Sequence, residues 1–129
     1  MTGRYGAEIA LQSINAVTLL TGDMSLAVGF YRDLGFVLTF GGDAESFSTF
    51  RAGTAFLSLQ LEAGRQPQPV WGRVIFWVDD VDETYSRALA AGRRPEAAPV
   101  DAPWGERYFH IRDPDGHELS FARPLARRG

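Results

Sequence analysis

Apolar positions change period along the chain, and each change marks an element. Residues 14–20 are apolar with β-branched members, Thr21-Gly22-Asp23 interrupts them, and Met24, Leu26, Ala27, Phe30, Tyr31 and Leu34 follow at helical spacing. This predicts strand, turn and helix. Asp23 is suited to cap the helix N-terminus, and Gly35 stands where a positive φ would end it before Phe36. The same order of events recurs over residues 74–78, Asp79-Asp80, and then Val81, Tyr85, Ala88 and Leu89 ahead of Gly92. Asp80 follows Asp23 by 57 residues, and Gly92 follows Gly35 by the same 57. Matched strands, caps and helix ends at one spacing predict an internal repeat.

Three shorter β-like runs follow each helix. In the first half they are 36–40, 46–50 and 55–61, parted by Gly41-Gly42-Asp43 and by Arg51-Ala52-Gly53-Thr54. In the second half they are a proline-interrupted edge strand at 94–100, then 107–112 and 118–122. Asp113-Pro114-Asp115-Gly116 between the last two is a hairpin turn, since Pro presets φ and Gly accepts a positive one. The Gly- and Pro-containing segment 63–70 reads as a surface linker. The expected fold is α+β: one domain over 1–129, made of two tandem β-α-β-β-β modules, about 13–62 and 71–124. They form a curved mixed sheet around a cup, with helices on the outer face.

Composition narrows the function. A chain of 129 residues with 45% hydrophobic and 22% charged residues is an ordinary globular one. Its net charge of -3 offers no basic stripe, so nucleic acid is not an expected partner, and a cationic ligand is electrostatically easier than an anionic one. The absence of cysteine removes disulfides, thiolate nucleophiles and Cys-bound zinc. No apolar run reaches signal-peptide or membrane-spanning length, which makes the cytoplasm the default; the basic C-terminal end reads as a solvated tail.

GFYRDLGF (from Gly29), VDDVDETY (around Asp79 and Asp80) and WGERYFHIRDPDGHELSF (from Trp104) resemble the vicinal oxygen chelate superfamily: glyoxalase I, bleomycin-resistance proteins and extradiol dioxygenases. The resemblance spans residues 14–124. It implies up to four metal ligands, from the first and last strand of each module, usually His early and Glu or His late. These positions fall on Ala16 and Arg73, again 57 apart, and on Ser58 and Ser120. Ala has no donor atom and Arg no available lone pair, so no metal, no cofactor and no catalytic residue is expected. The pattern is closest to metal-free bleomycin-resistance-like members. In those, two chains exchange strands or modules, and planar cationic antibiotics lie in clefts at the interface, unchanged.

The expected ligand-binding residues are Ala16, Thr18, Phe47, Ser58, Gln60, Arg73, Ile75, Trp77, Trp104, Tyr108, His110, Glu118 and Ser120: an apolar wall with a few polar anchors, as small-molecule sites have. His110 shares a strand face with Tyr108 and Arg112, while Phe109 and Ile111 face the helix. Glu118 stands opposite Arg73, either as a structural ion pair with a buried Arg or as the neighbour of a carboxylate clamp. His117 reads as a solvated or hydrogen-bonded turn residue, and Trp71 and Trp104 flank the second module beside Pro or Gly. The leading expectation is a homodimer that sequesters a small, partly aromatic molecule such as a planar antibiotic. One rival is a metal-dependent lyase, isomerase or dioxygenase drawing on Glu62, His110 or Glu118. A second is a pure interaction platform, with its cup filled by its own side chains.

Overall fold

A computed structural model describes residues 10–126. Their order is β1 (Ala16–Thr21), α1 (Met24–Asp33), β2 (Val37–Phe40), β3 (Phe47–Ala52), β4 (Ala55–Leu61), β5 (Arg73–Trp77), α2 (Val81–Ala90), β6 (Val100–Ala102), β7 (Glu106–Arg112) and β8 (Glu118–Pro124). This is the α+β arrangement of two β-α-β-β-β modules that the apolar pattern predicts. The first nine residues and the last three, which carry the expectations about a leader segment and the end of the basic tail, lie outside the described residues.

Both helices begin where their sequence supplies a cap. Asp23 accepts from Leu26 N and Asp80 from Glu83 N, each capping residue in extended conformation. Gly35 and Gly92 follow the helix ends with φ of 96° and 78°. Each module folds its strands into a four-stranded sheet, β1-β4-β3-β2 and β5-β8-β7-β6. The pairs β1/β4 and β5/β8 are parallel, the other neighbours antiparallel, and β1 and β5 each pair on one side only.

Alternation along the strands sends Leu19, Phe50, Leu57 and Leu59 of one sheet and Phe109, Ile111, Leu119 and Phe121 of the other into one buried core with both helices. Phe36 joins the modules, packing edge-on against Phe76 with ring centres 5.1 Å apart and against Phe121 at 6.1 Å. Each buried Phe contributes roughly 1.5–3 kcal/mol. Because the helix-bearing faces share this core, the opposite faces of the sheets turn to solvent: Ile75 and Trp77 are 57% and 70% exposed. A single chain therefore does not close its free faces into one cup.

Local differences from the sequence reading have simple causes. The edge strand expected at 94–100 forms instead at Val100–Ala102, sharing only Val100 with the expected run, because Pro95 and Pro99 lack the N–H that a ladder needs; before it, among the described residues, Glu96 N bonds across to His110 O. Arg51 and Ala52 belong to β3 rather than to the turn, and Ile14 precedes β1 in the open. The Asp113–Gly116 turn joins β7 to β8 as the expected hairpin, with Asp113 and Asp115 buried and Pro114 and Gly116 half-buried.

Candidate functional site

The free face of the first sheet carries Ala16 and Thr18 from β1, Phe47, Thr49 and Arg51 from β3, and Phe56, Ser58 and Gln60 from β4. Thr49 and Ser58 share a hydroxyl–hydroxyl hydrogen bond of 3.0 Å. The Arg51 guanidinium lies over the Phe56 ring, 5.6 Å from its centre. Thr18 and Gln60 are exposed, and Ser58 is buried beneath its neighbours.

The second free face is more polar. Arg73 donates from Nε to Glu118 Oε1 at 2.7 Å, with Nη2 on the same oxygen. Glu118 is buried, while the Arg73 side chain is 44% exposed, so the expectation of a buried Arg is corrected to a half-open one. Burial alone would raise the Glu118 carboxyl, but the hydrogen bond and charge of Arg73 outweigh it and hold the group below the usual range. His110 Nδ1 meets Ser120 Oγ at 3.1 Å, and burial together with the Arg73 charge keeps the imidazole below its usual value and neutral near pH 7. Tyr108 packs between His110 and Trp104, with ring centres 4.9 and 5.9 Å away.

Between the edge strands β1 and β5 lies a cavity of about 880 Å³, within the range of small-molecule sites. Its walls include Ala16, Arg51, Phe56, Arg73, Ile75 and Trp77. Four of the thirteen expected residues thus meet here, namely Ala16, Arg73, Ile75 and Trp77. Thr18, Phe47, Ser58, Gln60, Trp104, Tyr108, His110, Glu118 and Ser120 lie on the free faces outside it. Arg51 and Phe56 were not singled out, although alternation with Phe47 and Thr49 puts Arg51 on the same face.

The strand register tests the metal positions directly. Thr18 stands beside Ser58 as Ile75 stands beside Ser120, which makes the two serines equivalent. Ala16, Ser58, Arg73 and Ser120 supply no carboxylate and no imidazole, and Arg73 is engaged by Glu118. This donor set does not fit a divalent ion. Among the described residues no three His, Asp or Glu side chains gather elsewhere in a ligating group.

A buried polar network ties the modules together behind these faces. Tyr31 of α1 donates to Asp113 Oδ2 at 2.7 Å, and Asp113 Oδ1 accepts from the N–H groups of Asp115 and His117. Trp71 Nε1, which only donates, points at His117 Nδ1 at 2.8 Å; Nε2 therefore carries the proton and donates to Leu20 O at 2.8 Å. His117 is hydrogen-bonded as expected, but it is 4% exposed and not solvated. This is a structural joint between β1, α1 and the β7–β8 turn.

A family model described as Glyoxalase/Bleomycin resistance protein/Dioxygenase superfamily matches residues 13–121. An uncharacterized Mycobacterium bovis protein is 44% identical over 48 residues, 37% of this chain and 32% of that protein. The putative glyoxylase CFP32 of Mycobacterium bovis is 32% identical over 110 residues, 82% of this chain and 42% of its own length. The chain spans less than half of either relative. Among solved structures, TioX from Micromonospora sp. ML1 is similar with 29% identity and a TM-score of 0.71, over 88% of this chain and 100% of that one. A bleomycin-binding protein complexed with bleomycin gives 25% identity and 0.69, over 88% and 98%. No described helix is long and apolar enough to cross a membrane.

Proposed function

The chain belongs to the glyoxalase/bleomycin resistance protein/dioxygenase superfamily, and we propose that within it this protein binds and sequesters a small, partly aromatic molecule without the aid of a metal. The observation that carries this reading is the cavity between β1 and β5: its walls are aromatic and aliphatic with few polar groups, and of the four positions where the family resemblance implies metal ligands, Ala16 and Arg73 line it, while Ser58 and Ser120 lie on the free faces beside it. The likeness to a protein solved with bleomycin bound supports binding as the mode of action.

The site is completed by a second copy. Each chain offers two free faces that point away from one another, and their apolar residues Phe47, Ile75, Trp77 and Trp104 stay exposed. Pairing two chains through these faces brings the Thr49–Ser58 side against the Tyr108–His110–Glu118 side and covers the open side of the cavity, where Arg51, Ile75 and Trp77 meet the free faces. Thr18, Gln60, Ser120 and the remaining expected residues then serve as walls and anchors.

Two measurements separate this reading from a metal-dependent enzyme. Nickel, zinc, manganese and ferrous iron are expected to leave the melting temperature unshifted, since only an ion that prefers the native state stabilises it. Aromatic drugs and metabolites are expected to quench tryptophan emission at micromolar concentration. A metal-induced shift that a chelator reverses, with stoichiometric metal near Arg73, overturns the proposal.

A further inference from the structure

The charges lining the cavity run against those of the whole chain. The sequence carries a net charge of -3, yet the cavity wall includes two arginines, Arg51 and Arg73, and no Asp or Glu. Arg73 directs both Nε and Nη2 to a single oxygen of Glu118, and its Nη1 has no protein partner among the described residues. Arg51 forms no ion pair among the described residues; its one directional contact is with the Phe56 ring. Around them stand Phe56, Ile75, Trp77 and Trp71.

We infer that the ligand is an aromatic carboxylate, seated with its anionic group at Arg51 and Arg73 and its ring against Trp77, Ile75 and Phe56. This deepens the sequestration reading and rests on it. Global charge acts at range, but screening confines it to about 8 Å at physiological ionic strength, so the nearest groups decide which ligand charge is favoured. A guanidinium with unused N–H groups beside an apolar wall matches a carboxylate in both charge and shape. A cation in the same place would lose water and meet like charge, with no carboxylate in the wall to answer it. The preference for a cationic ligand read from net charge is thus reversed at the site.

Calorimetric titration with three ring sizes tests this: benzoate, 1-naphthoate and 9-anthracenecarboxylate, each beside its amide and its aminomethyl cation. At least one carboxylate is expected to bind about tenfold or more tightly than its amide and its cation, the difference expected of a charge-assisted hydrogen bond. Arg51→Gln, an exposed position away from the core, is expected to remove most of that margin, the ratio of carboxylate to amide affinity being the quantity read. Amides or cations that bind as well as the carboxylates overturn the charge assignment and leave small-molecule binding standing. A margin that survives Arg51→Gln overturns the role of Arg51. If no compound of any charge binds and no drug or metabolite quenches the tryptophans, both the assignment and the sequestration reading fall.

Discussion

Arg73 and Glu118 show what a single position does to the chemistry of this scaffold. Glu118 is buried, and Arg73, which donates twice to one of its oxygens, is the main group that keeps it charged. Its carboxyl is held low in the folded chain, so its contribution is present above the ordinary carboxylate range and is lost as pH falls through the lowered value. Glu118→Gln is therefore expected to lower stability by about 1 kcal/mol at pH 7, a modest figure because Arg73 is half exposed. Denaturant melts from pH 7 down to 3 should show the gap between the two proteins closing, and a gap independent of pH would contradict the assignment. The pairing of Arg73 with Glu118 was legible from strand alternation alone. The exposure of Arg73 was not, because it depends on how the sheets turn relative to one another, which no local pattern records. His117 was half legible for a similar reason: its turn is visible in Asp113-Pro114-Asp115-Gly116, but the partners that bury it, Trp71, Leu20 and Tyr31, come from distant parts of the chain.

At the scale of elements, the two helices are near-copies whose ends are set by the same residue types. Asp23→Ala and Asp80→Ala should each destabilise the protein by about 1 kcal/mol, the usual worth of a side-chain cap. The caps lie in different helices and share no partner, so the double variant should show the sum, measured as the shift in denaturant midpoint. A double variant no worse than either single one would mean that the caps are not independent. Helices and central strands could be read from sequence because period and caps agree there. The edge strands could not be placed as well: β6 is three residues long and follows two prolines, and β2 is short and bulged against β3. Register adds something the pattern lacked. Thr49 faces Ser58 as His110 faces Ser120, so the repeat offset of 57 at the first strands has grown before β7 and grows again in the longer β7–β8 hairpin. The added residues lie after α2 and in the Asp113–His117 turn, where ladder pairing does not hold the spacing.

The whole molecule is organised by its shared core. Phe36 packing on Phe76 and Phe121, and Tyr31 reaching Asp113, make the two modules one packed unit with outward free faces. If a second chain covers those faces, Trp77→Glu should weaken self-association about tenfold or more by sedimentation, a typical effect for burying a charge at an aromatic contact, while leaving the monomer's fold intact because Trp77 is exposed in the single chain. Unchanged association would place the contact elsewhere. The open outer edges of β1 and β5 have a consequence that is colloidal rather than chemical. Ala-Val-Thr-Leu-Leu-Thr along β1 carries no charge, and apart from Leu20 O, which His117 holds, its outer edge has no strand beside it and is of the kind on which other chains can add strands. β5 opens with Arg73, a gatekeeper that β1 lacks. The cavity borders this edge at Ala16 and Val17, so a bound molecule is expected to shield the start of an adhesive seam, and the empty protein at high concentration to precipitate first.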